Sequence, residues 1–170
     1  MLVAFLICAK LALVVLLGKI AVIDFTEQKI RNDDVLAVLV LSLAVLFAAW
    51  LGGANPVHIG LAVIAGLAMF ALLVPFWILG KVGAGDVKLL AVSPLVTGGV
   101  DLLLFAIAML IAAIATALVV KNPVLLPEGI FRHHIQHLDR KRVVPFGVPI
   151  SAGLIVVLLI QIVRAGSALA

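Results

Sequence analysis

The chain has 170 residues, 66% of them apolar and 12% charged, whereas a soluble domain carries about 45–50% apolar and about 25% charged residues. A water-exposed fold of this length cannot hide so much apolar surface, so the solvent must be a bilayer, which admits only helices or a closed barrel. The net charge of +4 reports topology and not nucleic acid, because the basic residues are scattered among loops without interleaved aromatics.

The apolar runs are long and lack period-two alternation, which predicts an all-α, polytopic membrane helical bundle. The first span is expected from Leu2 to about Ile23. It is not a signal peptide: it lacks a basic start, Lys10 interrupts it, and it is too long for the apolar core of one. Its cysteine, Cys8, is the only one in the chain. That excludes an intramolecular disulfide and Cys-cluster metal sites, and Cys8 reads as a small buried apolar residue. A polar loop over 24–34 leads to a second span, Val35 to about Trp50. The breakers Gly52-Gly53-Ala54-Asn55-Pro56 close it. A third span covers Val57–Leu79, and a glycine-rich loop, Gly80-Lys81-Val82-Gly83-Ala84-Gly85-Asp86, follows. A short apolar segment, Val87–Val96, ends at the turn Thr97-Gly98-Gly99. Another span covers Val100–Val120, a polar stretch runs from 121 to 144, and the last span is about Pro145–Val163. No linker, repeat or low-complexity tract divides the chain, so residues 1–170 are expected to form one integral-membrane domain.

The segment Val87–Val96 is short for a crossing, which takes about 20 residues. It can cross if its helix begins inside the glycine loop and its neighbours shield it. A crossing makes six spans and puts the loops 24–34, 80–88 and 121–145 on one side, with nine of the twelve basic residues. The positive-inside rule then places those loops in the cytoplasm and both termini outside.

Asp24 is expected where the first span meets that side, and Asp86 where the third gives way to the next helix. Charged groups at span ends need a reason. Two carboxylates brought together cannot both ionise easily, so one keeps its proton. An ionised acid beside a neutral one suits peptide hydrolysis: one takes a proton from water while the other donates to the scissile carbonyl. Gly83 and Gly85, without Cβ, permit close backbone approach by an extended peptide. The plainer alternatives are a glycine turn whose Asp86 caps the next helix and an Asp24 that is a solvated loop acid.

Other polar residues have readings of their own. His133 and His137 would share a helix face at a spacing that can hold a metal, with His134 beside them. No third ligand is set, and the same stretch suits an interfacial helix on anionic headgroups. Lys88 could act on a nearby carboxylate or snorkel as a basic anchor. Lys10 is expected to snorkel outward or pair with Asp101. Trp50 and Trp77 sit near span ends, as belt aromatics do. Glu27, Asp33 and Asp34 could attract a basic peptide or simply be solvated.

Three patches resemble one family. Lys81-Val82-Gly83-Ala84-Gly85-Asp86 resembles the Gly-x-Gly-Asp signature of the type IV prepilin peptidases, which are membrane aspartic peptidases. Asp24 followed by Lys29-Ile30-Arg31-Asn32 is similar to the family's other catalytic Asp and its basic-Ile-Pro-Asn segment, with Arg31 in place of the usual Pro. Val144-Pro145-Phe146-Gly147-Val148-Pro149 is similar to the Pro-Phe-Gly entry of the family's last helix. The paired Cys-x-x-Cys of members with a methyltransferase region is missing, so the chain resembles the short members that serve Tad/Flp-type pili. The resemblance implies a prepilin leader peptidase with Asp24 and Asp86 catalytic and Gly83 and Gly85 shaping the substrate loop. It implies no cofactor and no metal. The substrate would be a membrane-inserted precursor cut after a Gly at the cytoplasmic end of its apolar helix. The partners would be pilus-assembly membrane machinery, and the place the inner (plasma) membrane with the active site facing the cytoplasm. Presenilin-type Gly-x-Gly-Asp proteases pair that motif with a Tyr-Asp, and this chain has no tyrosine. A small proton-coupled transporter is the rival of another class; it would need deeper carboxylates and a polar path between them. A non-enzymatic pilus-assembly component is the third reading.

Overall fold

A computed structural model describes residues 1–121 and 145–167. These residues form six helices: α1 (Leu2–Glu27), α2 (Asn32–Leu51), α3 (Pro56–Ile78), α4 (Ala84–Thr97), α5 (Leu102–Lys121) and α6 (Gly147–Ser167). The expected all-α, polytopic membrane bundle is what the chain builds. The histidines at 133, 134 and 137 lie outside the described residues.

Five of the helices are long and apolar enough to cross a membrane; α4 is the exception. With 14 residues, α4 is about 21 Å long at 1.5 Å per residue, against an apolar bilayer core of about 30 Å. It nevertheless runs from one end of the bundle to the other. It begins at Ala84, inside the glycine loop, next to the end of α1. Just past its far end, a Cβ on Gly99 would lie 2.7 Å from the His58 carbonyl at the start of α3. There too Gln161 Nε2, near the end of α6, donates to the Thr97 carbonyl at 3.0 Å. Consecutive helices therefore alternate in direction, as the charge count required. The shortness of α4 is tolerable because α2, α3 and α6 all pack against it.

The helices α1 and α6 bury seams with helical spacing. On α1 the buried positions are Ala9, Leu13, Leu17, Ile20 and Asp24. On α6 they include Gly147, Ile150, Leu154 and Val157. In a bilayer the outward faces need no polar cover, and small residues bring the helices close. A Cβ on Gly66 of α3 would lie 2.8 Å from the Ala91 carbonyl of α4, and one on Gly153 of α6 would lie 2.9 Å from the Met109 amide of α5. Two buried hydroxyls return to their own helix, Ser42 Oγ to the Val38 carbonyl at 2.6 Å and Thr97 Oγ1 to the Pro94 carbonyl at 3.1 Å, which satisfies them without water; the buried Ser151 Oγ has no partner among the described residues.

Several expectations need correction. Cys8 is not buried; it is exposed on the outer surface of α1, where lipid would cover it. Asp24 does not open a loop, because α1 continues to Glu27 and ends at Gln28 in the left-handed region (φ 54°, ψ 39°). Asp34 belongs to α2, is buried, and takes Lys19 Nζ of α1 at 2.6 Å. Asp101 pairs first with Arg164 at 3.2 Å and takes Gln161 at 2.8 Å. Lys10 lines the same 330 Å³ pocket at the far end of the bundle.

Candidate active site

Asp24 extends the stripe Leu13–Leu17–Ile20 by one more step of four residues, so its side chain points into the bundle and only 5% of it is exposed. The start of α6 stands opposite. The backbone amides of Gly147 and Val148 point at the Asp24 carboxyl and bring the positive end of that helix to it. Its Oδ2 is buried without a hydrogen-bond partner. A Cβ on Gly147 would lie 2.7 Å from both Asp24 Cγ and Oδ2, so only a glycine leaves room for the carboxyl there. Sequence reasoning took Gly147 only as part of a helix entry. Its signal was the Pro145-Phe146-Gly147 patch, which carries no mark of the carboxylate it faces.

Asp86 occupies the third position of α4, whose N-cap is Gly83 (φ −67°, ψ 143°) with no side-chain cap. The Asp86 carboxylate reaches back to the Gly83 amide, the returning half of a capping box. A Cβ on Gly83 would lie 2.9 Å from Asp86 Oδ2, so the glycine gives the carboxylate its place. The helix-cap alternative puts Asp86 at the N-cap; that position is Gly83, and Asp86 instead caps from inside the first turn. The alternative is also incomplete, because Asp24 acts on Asp86 through its charge.

Both acids, with Gly83 and Gly85, line one cavity of about 600 Å³, together with Lys29, Ile30, Arg31, Asn32, Asp33 and Lys88. The four residues expected at the site therefore come together at one end of the bundle. Lys88 Nζ donates to Asn32 Oδ1 at 2.9 Å and so ties the start of α2 to α4. Two apolar grooves adjoin the cavity. One, about 400 Å³, shares Asn32, Asp33 and Lys88 with it and lies over Ala91 and Val92 of α4, between α2 and α3. The other, about 250 Å³, shares Gly83 and Asp86 and reaches Met109 and Phe146. Leu17, Leu89, Ile150 and Leu154, all fully buried, belong to the apolar core behind the cavity. Among the described residues no group of three or more His, Cys, Asp or Glu could hold a metal ion.

A model of the type IV leader peptidase family matches residues 11–120. The chain belongs to that family. No curated protein and no solved structure matches it. The matched stretch contains Asp24, Gly83, Gly85 and Asp86, while Gly147 and the rest of α6 lie beyond it. Membership makes the chain a leader-peptidase-like membrane protein.

Arg31, which stands where the family pattern has Pro, is the N-cap of α2 with φ −79° and ψ 139°. A proline ring, fixed near φ of about −65 ± 15°, fits that backbone. Arg31→Pro is therefore expected to leave activity unchanged within twofold. It should raise the unfolding free energy by about 0.4–1 kcal/mol through a less flexible unfolded chain, which thermal unfolding in detergent would measure. A lower unfolding midpoint would mean that the Arg31 side chain or amide holds something the proline cannot.

Proposed function

We propose that the protein is an aspartic endopeptidase that removes the leader from prepilin-like precursors, with Asp24 and Asp86 as its catalytic pair. The observation that carries the reading is the meeting of two carboxylates, from the last turn of α1 and the first turn of α4, in one cavity where the charge of one acts on the other. One of two such acids stays neutral at working pH. The ionised acid takes a proton from water as its oxygen attacks the scissile carbonyl carbon, and the neutral acid donates its proton to the carbonyl oxygen. Collapse of the tetrahedral intermediate breaks the C–N bond: one hydroxyl of the diol returns its proton to the acid that had given it, and the proton first taken from water goes to the leaving amine.

Gly83 and Gly85 leave the edge of the loop bare, so an extended peptide can lie along it. The groove between α2 and α3 suits the apolar helix of such a precursor, since it is apolar and continues from the cavity past Asn32 and Lys88. Lys29, Arg31, Lys81 and Lys88 gather at the cavity end of the bundle, and the positive-inside rule favours the cytoplasmic face of the inner membrane for that end. The termini then lie outside, and pilus-assembly machinery would supply the precursor and take the product.

The test is co-expression with a precursor made of a basic leader and an apolar helix, followed by mass analysis of its N-terminus. The reading expects a shortened product with the wild-type chain and a full-length precursor with the Asp24→Asn/Asp86→Asn double variant. Equal processing by the double variant, or an intact precursor beside well-expressed wild type, overturns it.

A further inference from the structure

Ile30 lies in the loop between α1 and α2, and its side chain is held at both ends. A Cβ on Gly85 would lie 2.7 Å from Ile30 Cβ and 3.4 Å from the Ile30 carbonyl oxygen. A Cβ on Gly147 would lie 2.9 Å from Ile30 Cδ1. The root of the side chain therefore rests on the first turn of α4, and its tip on the first turn of α6. Those two turns carry the surroundings of the two acids. Gly85 precedes Asp86 in the chain, and a Cβ on Gly147 would lie 2.7 Å from the Asp24 carboxyl.

We propose that Ile30 is a positioning residue: its side chain is the spacer, seated between Gly85 and Gly147, that fixes the gap between Asp24 and Asp86. The inference rests on the reading of those acids as the catalytic pair. The choice of residue has a physical reason. Branching at Cβ restricts χ1, so the span from root to tip is stiff. The loop cannot simply slide to compensate. Gln28 fixes its start in the left-handed region. Its end is tied by Lys88 to Asn32 at 2.9 Å and by Lys19 to Asp34 at 2.6 Å. A spacer of this kind acts on the reaction through geometry, because a misplacement of about 1 Å can cost about 100-fold in rate.

The test compares Ile30→Ala, Ile30→Leu and Ile30→Val in the full chain, with kcat, KM, the pH–rate profile and thermal unfolding measured on one precursor. Ile30→Leu keeps the volume and loses the branch at Cβ, so it should fold even if Ile30→Ala does not accumulate. The spacer predicts a fall in kcat of at least about tenfold for Ala and Leu, with KM changed less than about threefold. It predicts that at least one limb of their pH–rate profiles moves by about half a unit or more, since the two acids titrate as a pair whose coupling depends on their separation. Ile30→Val keeps the branch but loses Cδ1, the atom that reaches the first turn of α6, so its kcat should fall as well, by less than that of Ile30→Ala, which loses more of the side chain. An Ile30→Leu enzyme with wild-type kcat and an unmoved pH profile overturns the inference, as does an Ile30→Val enzyme with wild-type kcat. Asp24→Asn and Asp86→Asn in the same assay separate the two failures. If they cleave, the catalytic pair falls; if they are dead while Ile30→Leu is normal, only the spacer falls.

Discussion

Asp24→Asn and Asp86→Asn are each expected to lower leader cleavage by at least about 1000-fold while leaving the fold intact. The reaction needs one ionised and one neutral acid, and an amide can be neither the base nor the acid. The stability expectation comes from burial. Asp24 Oδ2 is enclosed without a hydrogen-bond partner, and a charge held that way costs the folded state more than it returns. Replacing it by a neutral amide of the same shape should therefore lower the unfolding midpoint little or raise it. Asp86→Asn removes the charge that favours the α4 N-terminus, worth about 0.3–1 kcal/mol, and keeps an oxygen for the Gly83 amide. If Asp86 were only a helix cap, its variant would show that small loss and normal cleavage. Cleavage time courses on purified protein, read beside thermal unfolding, tell the two apart. Rates within tenfold of wild type for either variant would sink the pair. The same requirement for mixed protonation predicts a bell-shaped pH–rate profile in the wild type: at low pH both acids are protonated and no base remains, and at high pH both are ionised and no acid remains.

How much of this was legible in the sequence depends on what each feature rests on. The spans were readable because apolar runs of about 20 residues have one physical use. The passage of Val87–Val96 through the bundle followed from charge and parity, although α4 is too short to be recognised by length. The end of α1 was placed about one helical turn too early, which put Asp24 in a loop, because polar composition from 24 to 34 looks like a loop. Its register with Leu13, Leu17 and Ile20 was the better guide, since a residue on the buried stripe points inward whatever its charge. The burial of Asp34 and its pairing with Lys19 could be suspected from the same kind of stripe on α2. The meeting of Gly85, Ile30 and Gly147 could not. It depends on how three separate elements dock, and no local spacing carries that.

Gly147→Ala follows from that docking and carries the other large effect. Gly147 is the first residue of α6, where glycine has no helix-forming advantage over alanine, so a purely local view predicts a neutral or slightly stabilising change. The site predicts the opposite for activity. The added methyl would stand 2.7 Å from Asp24 Cγ and Oδ2 and 2.9 Å from Ile30 Cδ1, which is too close for carbon or oxygen. Either the Asp24 carboxyl rotates out of the cavity or the start of α6 withdraws, taking the Gly147 and Val148 amides with it. Each route shifts Asp24 or the amides that hold it by about an ångström, enough to lower kcat by about 100-fold. Gly18→Ala is the control: Gly18 lies inside α1, and nothing stands within 4 Å of its Cβ position, so it should cleave as wild type and be slightly more stable. Because the clash at Gly147 is with Asp24 itself, shortening Ile30 in a Gly147→Ala/Ile30→Val double variant should not restore cleavage. Full activity in Gly147→Ala would mean that Asp24 has room to work without the glycine, and that α6 does not form the wall of the site.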